Sequence, residues 1–321
     1  MAHLPADRAF VDTPDGEPAA ELRSLPCGMA RGGPGLLGED CWCLTGPTAA
    51  GKSAIAVRLA EHLGAEIVSA DSMAVYIGLD IGTAKPTPAQ RDRVPHHLVD
   101  VVPASATYSV ALWLDAAASA IAAIRSRGRR ILVTGGTPLY LRALRDGLDP
   151  LPAADAAVRA RLEAEADVAG TAALHARLAT VDPVAAGRIH PGDRRRLIRA
   201  LEIAAAGGRS ATGWDRGTPA PWAGRLLVVD RPRRLLAERI DRRVEAMFAG
   251  GLVEEVAGAL AAGGLGPTAR QAAGYAECLD LLAGRCTRAA AITRTQQRTR
   301  QLAKRQLTWL RGFPEATWIS G

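Results

Sequence analysis

CWCLTGPTAAGKSAIAVRLAEHL, residues 41–63, is the stretch whose reading decides the fold. Residues 41–45 form a short apolar run that predicts a buried strand, and residues 53–63 carry apolar positions at helical spacing. Between them, Gly46, Pro47, Thr48, Ala49, Ala50, Gly51, Lys52 and Ser53 match G-x-x-x-x-G-K-[ST] in the required strand-then-helix context. Glycines let the backbone wrap a phosphate with its amides turned inward, and the start of a helix adds partial positive charge. Lys52 offers a point charge, and the Ser53 hydroxyl can ligate Mg²⁺. The pattern implies binding of a di- or triphosphate, a nucleotide such as ATP included. It leaves the fate of the phosphate open, although phosphoryl transfer is the default chemistry for such loops.

Outward from this loop, short apolar runs alternate with helical segments. Strands are predicted at 66–70, 97–102, 130–134, 225–230 and 316–319, and a helix at 110–125. The alternation predicts an α/β fold: a P-loop NTPase-like parallel sheet flanked by helices. Between 149 and 224 the pattern changes. Helices at 155–166, 171–179 and 193–206 follow one another with no strand, and Pro150, Pro152, Pro219 and Pro221 punctuate the edges. The organisation expected is a catalytic core at 40–148 and 225–321, an inserted all-helical subdomain at 149–224, and a flexible N-terminal extension at 1–39.

Composition narrows the class. The 321 residues are 48% hydrophobic and 23% charged, ordinary globular usage, which excludes a wholly disordered chain. The alanine-rich run at 116–123 is too short to span a bilayer, so no membrane is expected. Five cysteines lack a framework spacing and no signal-peptide core is evident, which points to a reducing cytoplasm. The net charge of +7 suggests a polyanionic partner. Only three lysines occur, Lys52, Lys85 and Lys304, against 37 arginines. Where arginine has replaced lysine nearly everywhere, a surviving lysine points to a need for a compact ammonium.

Several positions invite chemistry. Asp71 follows the second strand, and strand C-termini open onto the ligand crevice of such sheets. It reads as a general base or Mg²⁺ neighbour, or equally as a helix N-cap. The segment 80–87 is a polar loop that holds Lys85, one of the three lysines, and its plain reading is a surface turn. Gly135-Gly136-Thr137 follows another strand and can present amides and a hydroxyl to the same crevice. His96 and His97 read as structural. From 281 to 314 there is no acidic residue. Arg294, Arg298 and Arg305 share one side of a predicted helix, opposed by a stripe including Ala303 and Leu307. That face is an RNA footprint or a solvated basic face; if an RNA footprint, it is expected to lie away from the diphosphate pocket. Arg194, Arg195 and Arg196 add a second basic patch.

Together these segments resemble the tRNA dimethylallyltransferases, also called tRNA isopentenyltransferases. The motifs that carry the resemblance are GPTAAGKS (46–53), DSMAVY (71–76), DIGTAKPT (80–87), GGTPLY (135–140), LPAADAAVRARL (151–162), VDPVAAGRIHPGDRRRLIRALE (181–202), QAAGY (271–275) and AKRQLTWLRG (303–312). Ala74, Pro138 and Ala276 depart from the usual pattern. The resemblance implies transfer of a dimethylallyl group from dimethylallyl diphosphate to the N6 amine of the adenine just 3′ of the anticodon, in tRNAs reading codons that begin with U. It implies Asp71 as base, Arg243 as a further diphosphate contact, and Mg²⁺ near Ser53. It also implies tRNA contacts at Asp71, Ser72, Met73, Ala74, Thr137, Arg159, Arg195, Arg196, Arg199, Gln271, Gly274 and Tyr275. A monomer gripping an anticodon stem-loop is expected. The rivals are a small-molecule kinase, a free-nucleotide prenyltransferase and a non-enzymatic RNA-binding protein. The first two leave the basic helix without a task; the last leaves Lys52, Ser53 and Asp71 without one.

Overall fold

The computed structural model describes residues 36–148, 151–152, 155–208, 222 and 224–321. Most of the expected N-terminal extension, and residues 149–150, 153–154, 209–221 and 223 of the expected insertion, lie outside the described residues. The sheet has six parallel strands in the order β3-β2-β4-β1-β5-β6. They are β1 (Cys41–Thr45), β2 (Ala65–Ser69), β3 (His96–His97), β4 (Arg130–Gly135), β5 (Leu226–Asp230) and β6 (Thr317–Ser320). The predicted parallel α/β sheet is therefore the observed one. β1 lies between β4 and β5. The chain leaves β1 toward β2 on one side and returns through β4 and β5 to flank it. The crevice at the carboxyl end of β1 is where ligands bind in such sheets.

The helices are α1 (Lys52–Leu63), α2 (Pro88–Arg93), α3 (Val110–Ser126), α4 (Pro138–Asp146), α5 (Ala156–Val181), α6 (Pro183–Ala186), α7 (Arg194–Ala205), α8 (Arg233–Ala249), α9 (Leu252–Ala261), α10 (Tyr275–Leu282) and α11 (Arg288–Leu310). Strand alternation divides the core. Cys41 and Cys43 pack on one face with α3, α4, α8 and α11. Leu44, Ile67 and Leu132 pack on the other with α1. Trp113 of α3 donates its indole N–H to the Ser69 carbonyl at 2.9 Å and stacks on Tyr140 of α4 at 4.4 Å. This fastens both helices beneath the ends of β2 and β4.

α5, α6 and α7 close around their own core of Leu162, Leu174, Leu178, Leu197, Ile198 and Leu201, with no strand among them. The two helices expected at 155–166 and 171–179 run as α5, with a break at Gly170, where φ is 79°. The third strand is shorter than the predicted 97–102. Leu98 and Asp100 take left-handed backbone, φ 62° and 58°, which an extended ladder does not accommodate.

Residues 81–84 are turns, as the surface-turn reading of 80–87 expects, but Lys85 is not on the surface. Its side chain is 2% exposed, and Nζ donates to the Tyr76 carbonyl, Asp80 and Asp100. A compact ammonium with three converging acceptors is what that site holds. The His97 ring bonds Glu66 at 2.7 Å, and the His96 ring bonds the Val94 carbonyl.

Candidate active site

The phosphate loop begins at Gly46, where φ is +148° and a Cβ would stand 2.5 Å from the Val229 carbonyl oxygen, so only glycine fits. Gly51 ends the loop in a left-handed conformation and starts α1 at Lys52. Lys52 Nζ donates to the Pro47 carbonyl at 2.8 Å. Burial lowers its ammonium to about 8, against the pull of the Asp71 charge and with the Arg243 charge adding to the effect. The loop is braced from outside by arginines. Arg231 Nε donates to the Ala50 carbonyl and Arg239 Nε to the Ala49 carbonyl, each at 2.8 Å, and Arg243 donates to Thr48 Oγ1 at 3.3 Å. Arg234 pairs with Glu238, whereas Arg231, Arg239, Arg242 and Arg243 make no ion pair among the described residues. Unneutralised cations around an amide-lined loop make a polyphosphate cradle.

Three cavities meet here. The first, about 570 Å³, is lined by Gly51, Lys52, Ser53, Gln90 and the arginines of α8. The second, about 110 Å³, lies deeper, between Lys52, Ser53, Asp71, Ala74 and Gly136. The third, about 500 Å³, extends from Asp71 under an apolar wall of Ile240, Val244, Met247, Leu302 and Trp309. Arg243 lines all three, and Thr48, Asp71 and Gln306 line both the second and the third. Burial lowers the Arg243 pKa from its ordinary value, with the Asp71 charge opposing that shift.

Asp71 Oδ1 accepts from the Met73 amide at 2.9 Å, a local turn; its alternative reading as a helix cap falls, since no helix follows. Its other oxygen makes no hydrogen bond among the described residues. The neighbouring Ser72 amide donates to Thr137 Oγ1 at 3.0 Å. The structure thus brings Thr48, Asp71, Ser72, Met73, Thr137, Arg195, Gln271 and Arg243 onto one cavity. Arg195 donates to Gln271 at 3.1 Å, joining α7 to the core across the rim.

Other expected site residues stand elsewhere. Arg159 and Arg199 are held by the buried Glu202 carboxylate, at 2.6 and 3.2 Å, and neither lines a described cavity. Arg196 is exposed beside Asp193. Tyr275 is buried, its hydroxyl donating to Glu255 at 2.6 Å, and Gly274 starts α10. Glu255 also accepts from the amides of Asp80, Ile81 and Gly82, so it fixes the loop 80–83 at the cavity wall.

The basic face of α11 is partly neutralised by acids from other elements. Arg298 pairs with Glu277 at 2.8 Å, Arg294 reaches Asp280 at 3.5 Å, and Arg300 pairs with Asp241. Arg305 of the same helix is exposed at the cavity rim. The expectation that this helix stays clear of the phosphate site is corrected, because Gln306 reaches the phosphate loop. Sequence reading missed Gln306, Glu255, Arg231 and Arg239. One signal was present for Gln306: a long polar side chain beside Ala303, Leu307 and Leu310 on the buried stripe of an amphipathic helix.

Comparison with known proteins agrees with this geometry. The IPP transferase family matches residues 74–313, and the isopentenyl transferase family matches residues 39–96. A tRNA dimethylallyltransferase of Anaeromyxobacter sp. (strain Fw109-5) is 50% identical over 279 residues, covering 86% of this chain and 93% of its own. That of Halorhodospira halophila (strain DSM 244 / SL1) is 49% identical, covering 84% and 89%. The crystal structure of a tRNA isopentenylpyrophosphate transferase from Bacillus halodurans shares 39% identity with a TM-score of 0.62, covering 87% of this chain and 89% of that one. A eukaryotic dimethylallyltransferase captured acting on tRNA shares 25% identity with a TM-score of 0.67, covering 87% and 73%. With a phosphate cradle, a strand-end acid and relatives matched over most of their length, this chain belongs to the tRNA dimethylallyltransferase family.

Proposed function

We propose that this chain transfers the dimethylallyl group of dimethylallyl diphosphate to the N6 amine of the adenine 3′-adjacent to the anticodon, in tRNAs reading U-starting codons, and releases diphosphate. The observation that carries the reading is the junction at Asp71 and Arg243, where a basic cavity meets a mostly apolar one. The diphosphate lies against the amides of 46–53, Lys52 and Arg243. The prenyl tail points past Thr48 toward the apolar wall. The adenine leaves its stack and enters from the side of Ser72, Met73, Thr137 and Gln271. The bond from the allylic carbon to N6 forms as its bond to the diphosphate oxygen breaks, and that electron pair leaves with the diphosphate. The amine is a weak nucleophile because its lone pair is delocalised into the ring. Asp71, with one carboxylate oxygen fixed and the other unengaged, takes its proton.

Mg²⁺ fits the donor set: the Ser53 hydroxyl and diphosphate oxygens are hard ligands, and Mg²⁺ keeps several waters rather than needing a protein cage. Bound there, it would neutralise charge on the leaving diphosphate. Residues 40–148 and 225–321 form the catalytic core in this reading, and the helices within 149–224 grip the anticodon stem-loop with Arg195 and Arg196. Arg159 of α5 then acts through Glu202 to hold α5 against α7, Arg199 ties α7 to the Pro152 carbonyl at 2.7 Å, and Gly274 and Tyr275 shape the rim. A cavity completed by one chain supports a monomer, and a tRNA acceptor supports a cytoplasmic setting. No described helix is long and apolar enough to cross a membrane. Mass spectrometry of digested tRNA after incubation with dimethylallyl diphosphate tests the reading. One adenosine should gain the mass of a dimethylallyl group; transfer of label from ATP instead would support a kinase.

A further inference from the structure

We propose that Gln306 is a positioning residue that sets the spacing between the leaving diphosphate and the base, a role that rests on the prenyl-transfer reading above. Gln306 is carried on α11 and is 7% exposed. Its Oε1 accepts from the Thr48 amide of the phosphate loop at 2.8 Å. Its Nε2 donates to the Gly136 carbonyl, in the turn after β4, at 2.6 Å. Reversing the carboxamide would set N–H against N–H and oxygen against oxygen, so the two partners dictate one orientation.

Each end leads to a reacting group. Beyond Thr48, its hydroxyl meets Arg243. Beyond Gly136, Thr137 donates its amide to the Ala70 carbonyl and accepts from Ser72, on either side of Asp71. The β1–β4 ladder ends at the Thr45–Gly135 pair. Past that pair the two loops diverge, and Gln306 spans them. Gly136 leaves room for this: a Cβ there would stand 2.6 Å from Nε2. Leu302, Arg305 and Trp309, on neighbouring turns of α11, line the cavity that runs from Asp71 to the apolar wall, so the helix that bounds this cavity also carries the tie between the loops. Transfer needs the reacting atoms at about 3–3.5 Å, and a misplacement of about 1 Å costs on the order of 10²-fold in rate.

The test uses the full chain, dimethylallyl diphosphate and an acceptor tRNA, in single-turnover reactions at saturating concentrations of both. Gln306→Met keeps the volume and removes both hydrogen bonds. Its melting temperature should stay close to wild type, and its affinities for a non-reactive diphosphate analogue and for an anticodon stem-loop within about threefold, while the transfer rate constant falls by about 10–100-fold. Gln306→Glu keeps an acceptor for Thr48 but sets a carboxylate oxygen against the Gly136 carbonyl. Its rate relative to wild type at the same pH should rise as pH falls from about 8.5 to about 6, because the protonated carboxyl regains a donor. A merely packing role would not produce that pH-dependent ratio. A saturated rate within about threefold of wild type for Gln306→Met, or a flat ratio for Gln306→Glu, overturns the role. Should Gln306→Met not fold, the Gln306→Glu ratio decides alone. Failure of the wild type to prenylate tRNA overturns the reaction itself, an outcome read directly from the unmodified protein.

Discussion

Asp71 and Lys52 line the same small cavity, and each makes its own prediction. An Asn at 71 can still accept from the Met73 amide, so Asp71→Asn should preserve the local turn. Donor and stem-loop affinities should hold while turnover falls by roughly 10²–10⁴-fold. Single-turnover prenylation near the wild-type rate would remove Asp71 as the base. Lys52, lowered to about 8 by burial, is charged below that pH and loses its proton above it. A bound diphosphate favours the ammonium and raises its pKa, so binding takes up a proton near and above pH 8. Affinity for a diphosphate analogue should be level below pH 8 and fall above it, by up to about tenfold per pH unit. Calorimetry in buffers of different ionisation enthalpy reads both the affinity and the proton. A level affinity from pH 7 to 9.5 would place the ammonium outside the cradle.

At the scale of elements, two contacts arrange the crevice from a distance. Glu255 of α9 gathers three consecutive amides and the Tyr275 hydroxyl. Tyr275→Phe should cost about 1.5–3 kcal/mol, the range for a hydrogen bond to a charged group, and urea unfolding measures it. α11 divides its arginines between structure and surface. Arg298 satisfies Glu277, whose side chain is 5% exposed, so Arg298→Gln should lower stability by leaving that carboxylate short of a partner. Arg305 is exposed at the rim without an ion pair among the described residues. Arg305→Gln should weaken stem-loop binding and flatten the plot of log affinity against log salt by about 0.7–0.9, whereas Arg298→Gln should leave the slope near wild type. Filter binding at several salt concentrations separates them, and equal slopes for both variants would move the RNA surface off this helix.

Across the whole molecule, α5, α6 and α7 share a core of their own, apart from the two that cover the sheet. Leu197 is fully buried in it. Leu197→Ala should cost these helices about 2–5 kcal/mol, weaken stem-loop binding, and leave binding of a diphosphate analogue unchanged. Parallel loss of both affinities would show that these helices and the sheet stand or fall together.

The fold and the phosphate loop were legible in the sequence because they are local. A strand, a glycine-rich loop and a helix follow one another within 41–63, and their backbone amides and Lys52 need no distant partner to be recognised. The alternation that predicts a parallel sheet is likewise local, and so is the strand-end position of Asp71. Tertiary structure decided which charges remain free. From 281 to 314 the sequence is purely basic, yet Glu277, Asp280 and Asp241 fold onto that helix from other elements and neutralise part of it. Lys85 reads as a turn residue until Asp80, Asp100 and the Tyr76 carbonyl close around it. Gln306 reaches Thr48 across 258 positions of sequence, and no spacing rule reports such a contact. Helix and strand periodicity arises from neighbours along the chain, whereas the tie between two loops depends on how a distant helix packs against the sheet.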